Sequence, residues 1–409
     1  FYRVDTSSTD DEFENTGLVL DYNGVSMYNS VINKGMVKYH KDLDSIGISA
    51  VHRIYSFDNR TALEALANVR YYMIRKEFTQ NLPYGFSKYK DYSTKTNEYT
   101  IYKNDYPLSI GYTYDKYIDS EEYEKLSAIE KQQVMLEEAV LDTKNVKSLA
   151  KGDTKSVSDK IKYGTVTVKS KDGVVVKTDR IRSKKEESTL TLSYEKKKGY
   201  EAYLMLDGVT TKKPRIKAKI STDDMEKNIV IRNNDLTYAL GRDSYLINLG
   251  YSDTSESEDV TFTIPIEAKI NYSDVKVCYV PMDDYVSQIA ERNEESLQNV
   301  LTDKNNEVSG EVTLSSDKVM VFSIPYSSGW KAYVDGKETS VFRANTMYMG
   351  INLTKGSHKV VLRYNSPGLH LGMMASAAGI IIWILLAAAS KKKKQKGNHS
   401  SRAAARLGA

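Results

Sequence analysis

The sequence has 409 residues, of which 40% are hydrophobic and 27% charged, and a formal net charge of +4. This length suggests two or three domains, since single cores rarely grow beyond about 250 to 300 residues. Residues 391–409 carry seven Lys or Arg and no acid, so the remainder has a net charge of −3. This balance argues against nucleic acid as a partner. The lone cysteine, Cys278, excludes an internal disulfide.

Residues 1–150 mix short strand-like and helical segments, a pattern typical of an α+β domain. The strand-like segments are LVLDY (18–22), RIYSF (53–57), RYYMI (70–74) and YTIYK (99–103). A helix is predicted from Asp119, with Glu122 as its capping-box partner. Its apolar face would contain Leu126, Ile129, Gln133, Leu136 and Val140. We expect this helix to close the first domain.

Residues 151–366 follow a period of two, which predicts a mostly antiparallel β-sandwich. The alternating segments include TVTVK (165–169), TLTLSY (189–194), VTFTI (260–264), VKVCYV (275–280) and HKVVLRY (358–364). One helix is predicted to interrupt them at residues 283–301, with Val286, Ile289, Asn293, Leu297 and Val300 on one stripe. Asp335-Gly336 predicts a type I′ hairpin turn, because both positions favour positive φ.

Residues 367–390 are predicted to form a single transmembrane helix. The segment from 369 to 389 carries no formal charge, and a helix of this length spans roughly 30 Å. Lys391–Lys394 follow at once, and the positive-inside rule places residues 391–409 in the cytoplasm as a basic tail. Residues 1–368 would then be extracytoplasmic. The tail after Lys396 has no fold signal and is expected to be disordered or foreign to the natural protein.

The N-terminus shows no signal segment that could export several hundred residues. We therefore expect this chain to be the C-terminal part of a larger membrane protein. Upstream membrane helices of the same protein and membrane lipid are the expected partners.

Known catalytic patterns are missing from the sequence. It contains no HExxH, GxSxG, Walker or dinucleotide-binding motif, so no catalytic residue, metal ligand or cofactor is assigned. Tyrosine is abundant, with 31 copies, and Tyr326, Trp330 and Tyr333 form a dense aromatic set. These three residues are candidates for stacking on a sugar ring. The alternative, which we favour for Trp330, is that it fills the sandwich core.

The same region resembles a known family. The segment IPYSSGWKAYVDG (324–336), the run from Ala344 to Gly368 and the terminal membrane helix look like the C-terminal end of the YfhO family of bacterial multi-pass membrane proteins. The earlier segments 1–4, 17–30, 68–74 and 130–141 are similar to the preceding part of that ectodomain.

This resemblance implies a glycosyltransferase of the GT-C type. Such an enzyme takes a sugar from a polyprenyl-phosphate carrier and adds it to an acceptor polymer, here of the lipoteichoic acid type in the Gram-positive cell envelope. The catalytic acid of that architecture lies in an early loop that this chain lacks, so the chain alone is expected to be inactive. The alternative is a non-enzymatic glycan-binding or assembly ectodomain of a cell-envelope complex.

Overall fold

The computed structural model describes residues 1–6, 14–76, 81–95, 98–302 and 306–406, with side chains through Lys391. Within these residues the helices are Thr16–Leu20 (α1), Lys34–Asp42 (α2), Thr61–Leu66 (α3), Ser120–Glu124 (α4), Ala128–Glu137 (α5), Thr154–Ser158 (α6), Tyr285–Glu294 (α7) and Leu369–Arg406 (α8). The strands are Arg3–Thr6 (β1), Met27–Tyr28 (β2), Ile48–Ala50 (β3), Arg53–Ile54 (β4), Val69–Arg75 (β5), Phe86–Ser93 (β6), Glu98–Asn104 (β7), Gly111–Tyr114 (β8), Lys116–Asp119 (β9), Ala139–Leu141 (β10), Ala150–Lys151 (β11), Lys162–Thr165 (β12), Thr167–Asp172 (β13), Val174–Lys177 (β14), Arg180–Ser183 (β15), Ser188–Glu195 (β16), Tyr200–Asp207 (β17), Arg215–Ser221 (β18), Glu226–Arg232 (β19), Tyr245–Ser252 (β20), Ser257–Ile264 (β21), Lys269–Asn271 (β22), Asp274–Pro281 (β23), Gln298–Leu301 (β24), Glu307–Leu314 (β25), Lys318–Pro325 (β26), Trp330–Val334 (β27), Lys337–Thr339 (β28), Phe342–Ala344 (β29), Tyr348–Leu353 (β30) and Gly356–Tyr364 (β31).

These strands form mainly antiparallel sheets. In the first part of the chain the sheet orders are β1-β5-β7-β6 and β2-β4-β3. Beside them lie the helices α2, α3 and α5, whose buried side chains join one hydrophobic core with Tyr72 and Tyr112. Pairs β1–β5, β9–β10 and β9–β11 are parallel. The predicted α+β region followed by a mostly antiparallel β region is confirmed.

A seven-stranded sheet joins distant parts of the chain. Its order is β11-β9-β10-β29-β30-β26-β8, so strands on both sides of the predicted boundary at residue 150 pair with each other. The buried side chain of Asn345 strengthens the junction: its oxygen accepts from the Val140 amide at 2.8 Å, and its nitrogen donates to the Tyr114 hydroxyl at 3.1 Å. A change of hydrophobic period cannot reveal such pairing, because contacts between distant segments leave no local pattern.

The middle of the chain is a sandwich of two antiparallel sheets, β12-β23-β17-β20 and β13-β16-β21-β18-β19. Strand β16 shows the expected alternation, since Leu190, Leu192 and Tyr194 are buried while the residues between them are partly exposed. Leu204 from one sheet and Ile220 from the other belong to the same core. The period of two therefore predicted the sandwich correctly.

The last sheet, β24-β25-β31-β27-β28, leads to the C-terminal helix. Its β27–β28 hairpin turns at Asp335 and Gly336, which have φ values of 52° and 80°. Val334 pairs with Lys337 across this turn. The predicted type I′ hairpin is confirmed.

The helix predicted from Asp119 is divided into α4 and α5. Asp119 does cap α4, but Ser127 starts α5 with its own capping box, in which Ser127 and Glu130 satisfy each other's backbone amides. Helix α5 ends at Glu137, and Val140 belongs to strand β10. The prediction of one continuous helix was wrong because buried positions in successive elements can imitate a single apolar stripe.

The helix predicted over residues 283–301 is shorter than expected, since α7 covers Tyr285–Glu294. Asn293 does not belong to an apolar stripe. Its side chain accepts from the Ser109 amide at 3.0 Å and donates to the Pro107 carbonyl at 2.8 Å. Leu297 is already outside the helix, and its amide donates to the Gly111 carbonyl. Backbone partners from the first part of the chain thus end this helix early.

Helix α8 contains a span that is long and apolar enough to cross a membrane. This span, Leu369–Lys391, has 23 residues and a mean hydropathy of 2.2, and none of it is buried against the rest of the protein. The predicted membrane helix at 367–390 matches it closely. Beyond Lys396 the helix continues to Arg406 instead of becoming the expected unstructured tail. The alanines of this segment favour helix, and no proline stops it.

Candidate functional site

The candidate site is an open cleft of about 620 Å³ between α2, α4 and the β29–β30 hairpin. We call it the Tyr326 cleft. Its lining residues are Lys34, Gly35, Lys38, Ser120, Tyr123, Glu124, Val140, Asp142, Lys144, Asn145, Tyr326, Val341, Phe342, Arg343 and Thr346. Four of these side chains are cationic and two are acidic, so the cleft carries an excess of positive charge.

Arg343 lies over the aromatic ring of Tyr326. The guanidinium carbon is 5.0 Å from the ring centroid, within the range of a cation–π interaction. Nη1 of Arg343 also donates to the Thr346 carbonyl at 3.2 Å. A Cβ on Gly35 would collide with this guanidinium, so glycine at that position leaves the arginine its place.

The hairpin turn that holds Arg343 is strained. Asn345 and Thr346 both have positive φ, 46° and 63°, and a β-branched residue rarely adopts this conformation. The hydrogen bonds of Asn345 to strand β10 hold the turn in place, and the turn aims the Thr346 carbonyl at the arginine. The strain therefore serves to position the cation above Tyr326.

The N-terminus of α2 forms the opposite edge of the cleft. Asn33 caps this helix by accepting from the Gly35 amide at 2.8 Å. Its side-chain nitrogen donates to the Tyr326 carbonyl at 2.6 Å. The cap thus connects the helix end to the residue that carries the aromatic face.

Two of the four cations are already neutralised by carboxylates. Lys38 contacts Asp42 and Glu124, and although partial burial opposes its charge, these hydrogen bonds raise the pKa of Lys38. Lys144 lies 2.6 Å from Asp142, and this hydrogen bond raises the pKa of Lys144. Both acids of the cleft are consequently engaged with lysines.

Lys34 and Arg343 remain available to a ligand. Across the described parts of the chain, neither has a carboxylate within ion-pair distance. A tyrosine side chain beside two such cations suits a ligand that combines hydroxyl-rich and anionic groups.

The three aromatic residues predicted as glycan-binding candidates do not form one site. Tyr326 lines the cleft, whereas Trp330 is half-buried, packs against the core of the last sheet and lies 5.2 Å from the ring of Tyr364. Tyr333 lies on the other face of β27, where Arg363 sits 5.4 Å from its ring centroid. The alternation of side chains along the strand separates Trp330 from Tyr333.

Sequence reasoning missed Arg343, Lys34 and the turn at Asn345 and Thr346. Asn345 and Thr346 lie in the run from Ala344 to Gly368, which carries the family resemblance, whereas Arg343 and Lys34 lie outside it. The consecutive positive-φ residues had no sequence signal, because Thr346 is not a residue type that favours this conformation. The cleft depends on segments about 300 residues apart, and no local pattern links Asn33 to Tyr326.

A second group of titratable residues is buried inside the fold. Asp58 receives Lys227 at 2.8 Å and the amide of Asn248 at 2.9 Å. Burial raises the pKa of Glu64 well above its usual value, and the neighbouring negative charge of Asp5 raises it further. All five side chains are less than a tenth exposed, so they lie inside the junction of the first region with the sandwich and offer no surface to a substrate.

Among the described residues, no group of three or more His, Cys, Asp or Glu side chains is placed to hold a metal ion. The structure thus defines a β-rich domain that carries a polar cleft and ends in one candidate membrane helix.

The sequence matches the family described as "Bacterial membrane protein YfhO" over residues 1–376, and the chain belongs to this family. A curated relative, the "Uncharacterized protein YfhO" of Bacillus subtilis (strain 168), is 23% identical over 391 residues. This alignment covers 90% of the chain and 41% of the relative, so the chain spans about two fifths of that protein's length.

Solved structures show only partial likeness. A family two carbohydrate esterase from Cellvibrio japonicus is 8% identical with a TM-score of 0.19, covering 30% of this chain and 34% of the esterase. The arabinofuranosyltransferase AftD from Mycobacteria is 15% identical with a TM-score of 0.16, covering 36% of this chain and 12% of AftD. At TM-scores this low, the activities of these proteins are not transferred to this chain.

Proposed function

We propose that this chain is the extracytoplasmic domain and last membrane helix of a glycosyltransferase that uses a polyprenyl-phosphate sugar. Its acceptor would be a cell-envelope polymer such as lipoteichoic acid, and its C-terminus would lie in the cytoplasm. The observation that supports this most directly is the Tyr326 cleft, where Tyr326 lies beside Lys34 and Arg343, two cations with no carboxylate within ion-pair distance among the described residues.

The chemistry of the cleft fits such an acceptor. A teichoic-acid-type polymer alternates hydroxyl-rich units with phosphodiesters. The Tyr326 ring lies beneath Arg343 and would offer its hydroxyl group to the hydroxyl-rich unit, while Arg343 would offer a planar donor fork to phosphate oxygens. Lys34 adds a second positive charge at the mouth of the cleft.

Catalysis itself is assigned to the part of the protein that precedes this chain. Both acids of the cleft, Glu124 and Asp142, are ion-paired with lysines, so neither is free to act as a general base. The upstream membrane helices would bind the lipid-linked sugar, and this domain would hold the acceptor near them.

Because Glu124 and Asp142 are both ion-paired, a second function is also consistent with the cleft. This is a non-enzymatic ectodomain that binds glycan or assembles a cell-envelope complex. The two functions predict the same cleft but different phenotypes. Deleting the complete gene should remove sugar from lipoteichoic acid if the protein is the transferase. Unchanged glycosylation would favour the binding or assembly role.

Acceptor binding can be tested directly with polyglycerol phosphate as the probe. In the full chain in mild detergent, Arg343→Gln should weaken binding about tenfold, because one cation and its stacking over Tyr326 are lost. Arg363→Gln is the matched control, since Arg363 lies over Tyr333 on the outer surface. Equal affinity of the two variants would refute the assignment of the cleft.

A further inference from the structure

An exposed apolar patch lies near the beginning of the chain. Leu18, Val19 and Leu20 of α1 are 86%, 82% and 69% exposed, and Val31 is 83% exposed. Asn15, the N-cap residue of α1, exchanges two hydrogen bonds with the backbone of Tyr28, three residues before Val31, and so brings Val31 near this helix. We call the four apolar residues the α1 patch. Three consecutive large aliphatic side chains in water are unusual for a soluble surface and indicate a site that contacts an apolar partner.

A short connection keeps the domain close to the membrane. Strand β31 ends at Tyr364 and α8 begins at Leu369, so only residues 365–368 connect them. Four extended residues reach at most about 14 Å. The connection is further fixed because the Asn365 amide donates to the Gly329 carbonyl at 2.9 Å. The turn that contains Gly329 therefore lies at the membrane surface.

The α1 patch is linked to this turn by a few direct contacts. Tyr326 is three residues before Gly329, and its carbonyl accepts from the side chain of Asn33. Val31 is two residues before Asn33. A cavity of about 380 Å³ has both Leu18 and Pro325 in its wall. The patch thus neighbours the membrane-proximal turn.

The border of the patch includes an exposed tyrosine and two cationic residues, one of which, Arg53, pairs with Glu14 at 2.7 Å. Tyr28 is 42% exposed, and the guanidinium of Arg53 lies 5.3 Å from its ring centroid. Lys34 follows a few residues after Val31. Tyrosine and long cationic side chains are favoured at headgroup depth, where an apolar body and a polar tip are both satisfied.

We propose that the α1 patch inserts into the headgroup and upper acyl region of the bilayer that α8 spans. The domain then has two attachments to the membrane, the α8 helix and the α1 patch. Because Asn33 joins the patch to Tyr326, insertion fixes the orientation of the Tyr326 cleft relative to the membrane surface. The proposal holds for either orientation of the chain across the membrane.

The test uses the full chain in lipid nanodiscs. Cys278 is fully buried, so a new surface cysteine can be labelled selectively with an environment-sensitive fluorophore. Val19→Cys is the probe, and Val168→Cys, an exposed valine of the sandwich, is the control. We expect blue-shifted emission and quenching by brominated lipid at position 19, with neither effect at position 168.

Three results would overturn the proposal. One is water-like emission at position 19. Another is a blue shift without lipid quenching, which would mean that protein covers the patch. The third result comes from a variant that tests the label itself, in which Leu18→Asp and Leu20→Asp are added to the Val19→Cys chain. These changes should abolish quenching. Persistent quenching would show that the apolar label alone drives insertion.

Discussion

His40 should make the fold sensitive to acid. It lies in α2, only 2% exposed, with its ring stacked on Phe57 and its Nδ1 3.2 Å from the Ser45 hydroxyl. Burial, together with the nearby positive charges of Arg60 and Arg242, lowers the pKa of His40 to about 3.

The sign and size of the effect follow from linkage. Between about pH 6.5 and pH 3 the unfolded chain protonates this histidine while the folded chain does not, so the unfolded state binds more protons and stability falls as pH falls. At about pH 4 the pKa of the unfolded-state histidine, about 6.5, lies roughly 2.5 above the pH, whereas the folded-state pKa lies below the pH. This corresponds to about 3 kcal/mol of lost stability.

The variant His40→Gln removes this titration while keeping a polar side chain near Ser45. Unfolding by urea, followed by circular dichroism of the full chain in detergent, gives the stability of both proteins. The wild type should lose about 3 kcal/mol more than the variant between about pH 7.5 and pH 4. Other titrating groups cancel in this difference.

A surface histidine supplies the control with the opposite sign. Nδ1 of His358 donates to the Asp335 carboxylate at 2.8 Å, and this hydrogen bond raises the pKa of His358. The contribution of His358 to stability is therefore present below about pH 6.5 and lost as pH rises.

The refuting result concerns His40. If the difference in unfolding free energy between wild type and His40→Gln is the same at both pH values, His40 is not buried in its neutral form.

Three further outcomes are expected. Trp330→Ala should lower stability by about 3 kcal/mol, at the bottom of the range for large aromatic truncations, because the ring is only half-buried. In intact cells an external protease should cleave within residues 1–368, while a tag placed after Lys396 stays protected. Gly372→Leu combined with Gly379→Leu should reduce assembly or activity of the full-length protein, because these small residues allow a neighbouring helix to approach closely.

A specific result would contradict each of these three predictions. An unchanged melting curve for Trp330→Ala, alongside Tyr333→Ala as the surface comparison, would promote Trp330 to a ligand-binding candidate. Digestion of the C-terminal tag from outside would reverse the orientation. A fully active double glycine variant would remove the packing role of α8, and Leu371→Ala serves as its control on the same helix.

The sequence by itself determined the features that depend on short spacings. The apolar run from residue 369 predicted a membrane helix, because spanning the bilayer requires one uninterrupted stretch of side chains. The alternation in β16 predicted a sandwich strand, and Asp335-Gly336 predicted the turn of the β27–β28 hairpin. These features need only the residues next to one another in the chain.

Tertiary structure alone decided the site. The Tyr326 cleft joins α2 to a hairpin about 300 residues later, and its geometry rests on the buried side chain of Asn345 and the strained Thr346. The pairing of β8 with β26 and of β10 with β29 likewise crosses the predicted domain boundary. Such contacts are selected by how complete surfaces fit and satisfy buried polar groups, and that competition is not written in any local pattern.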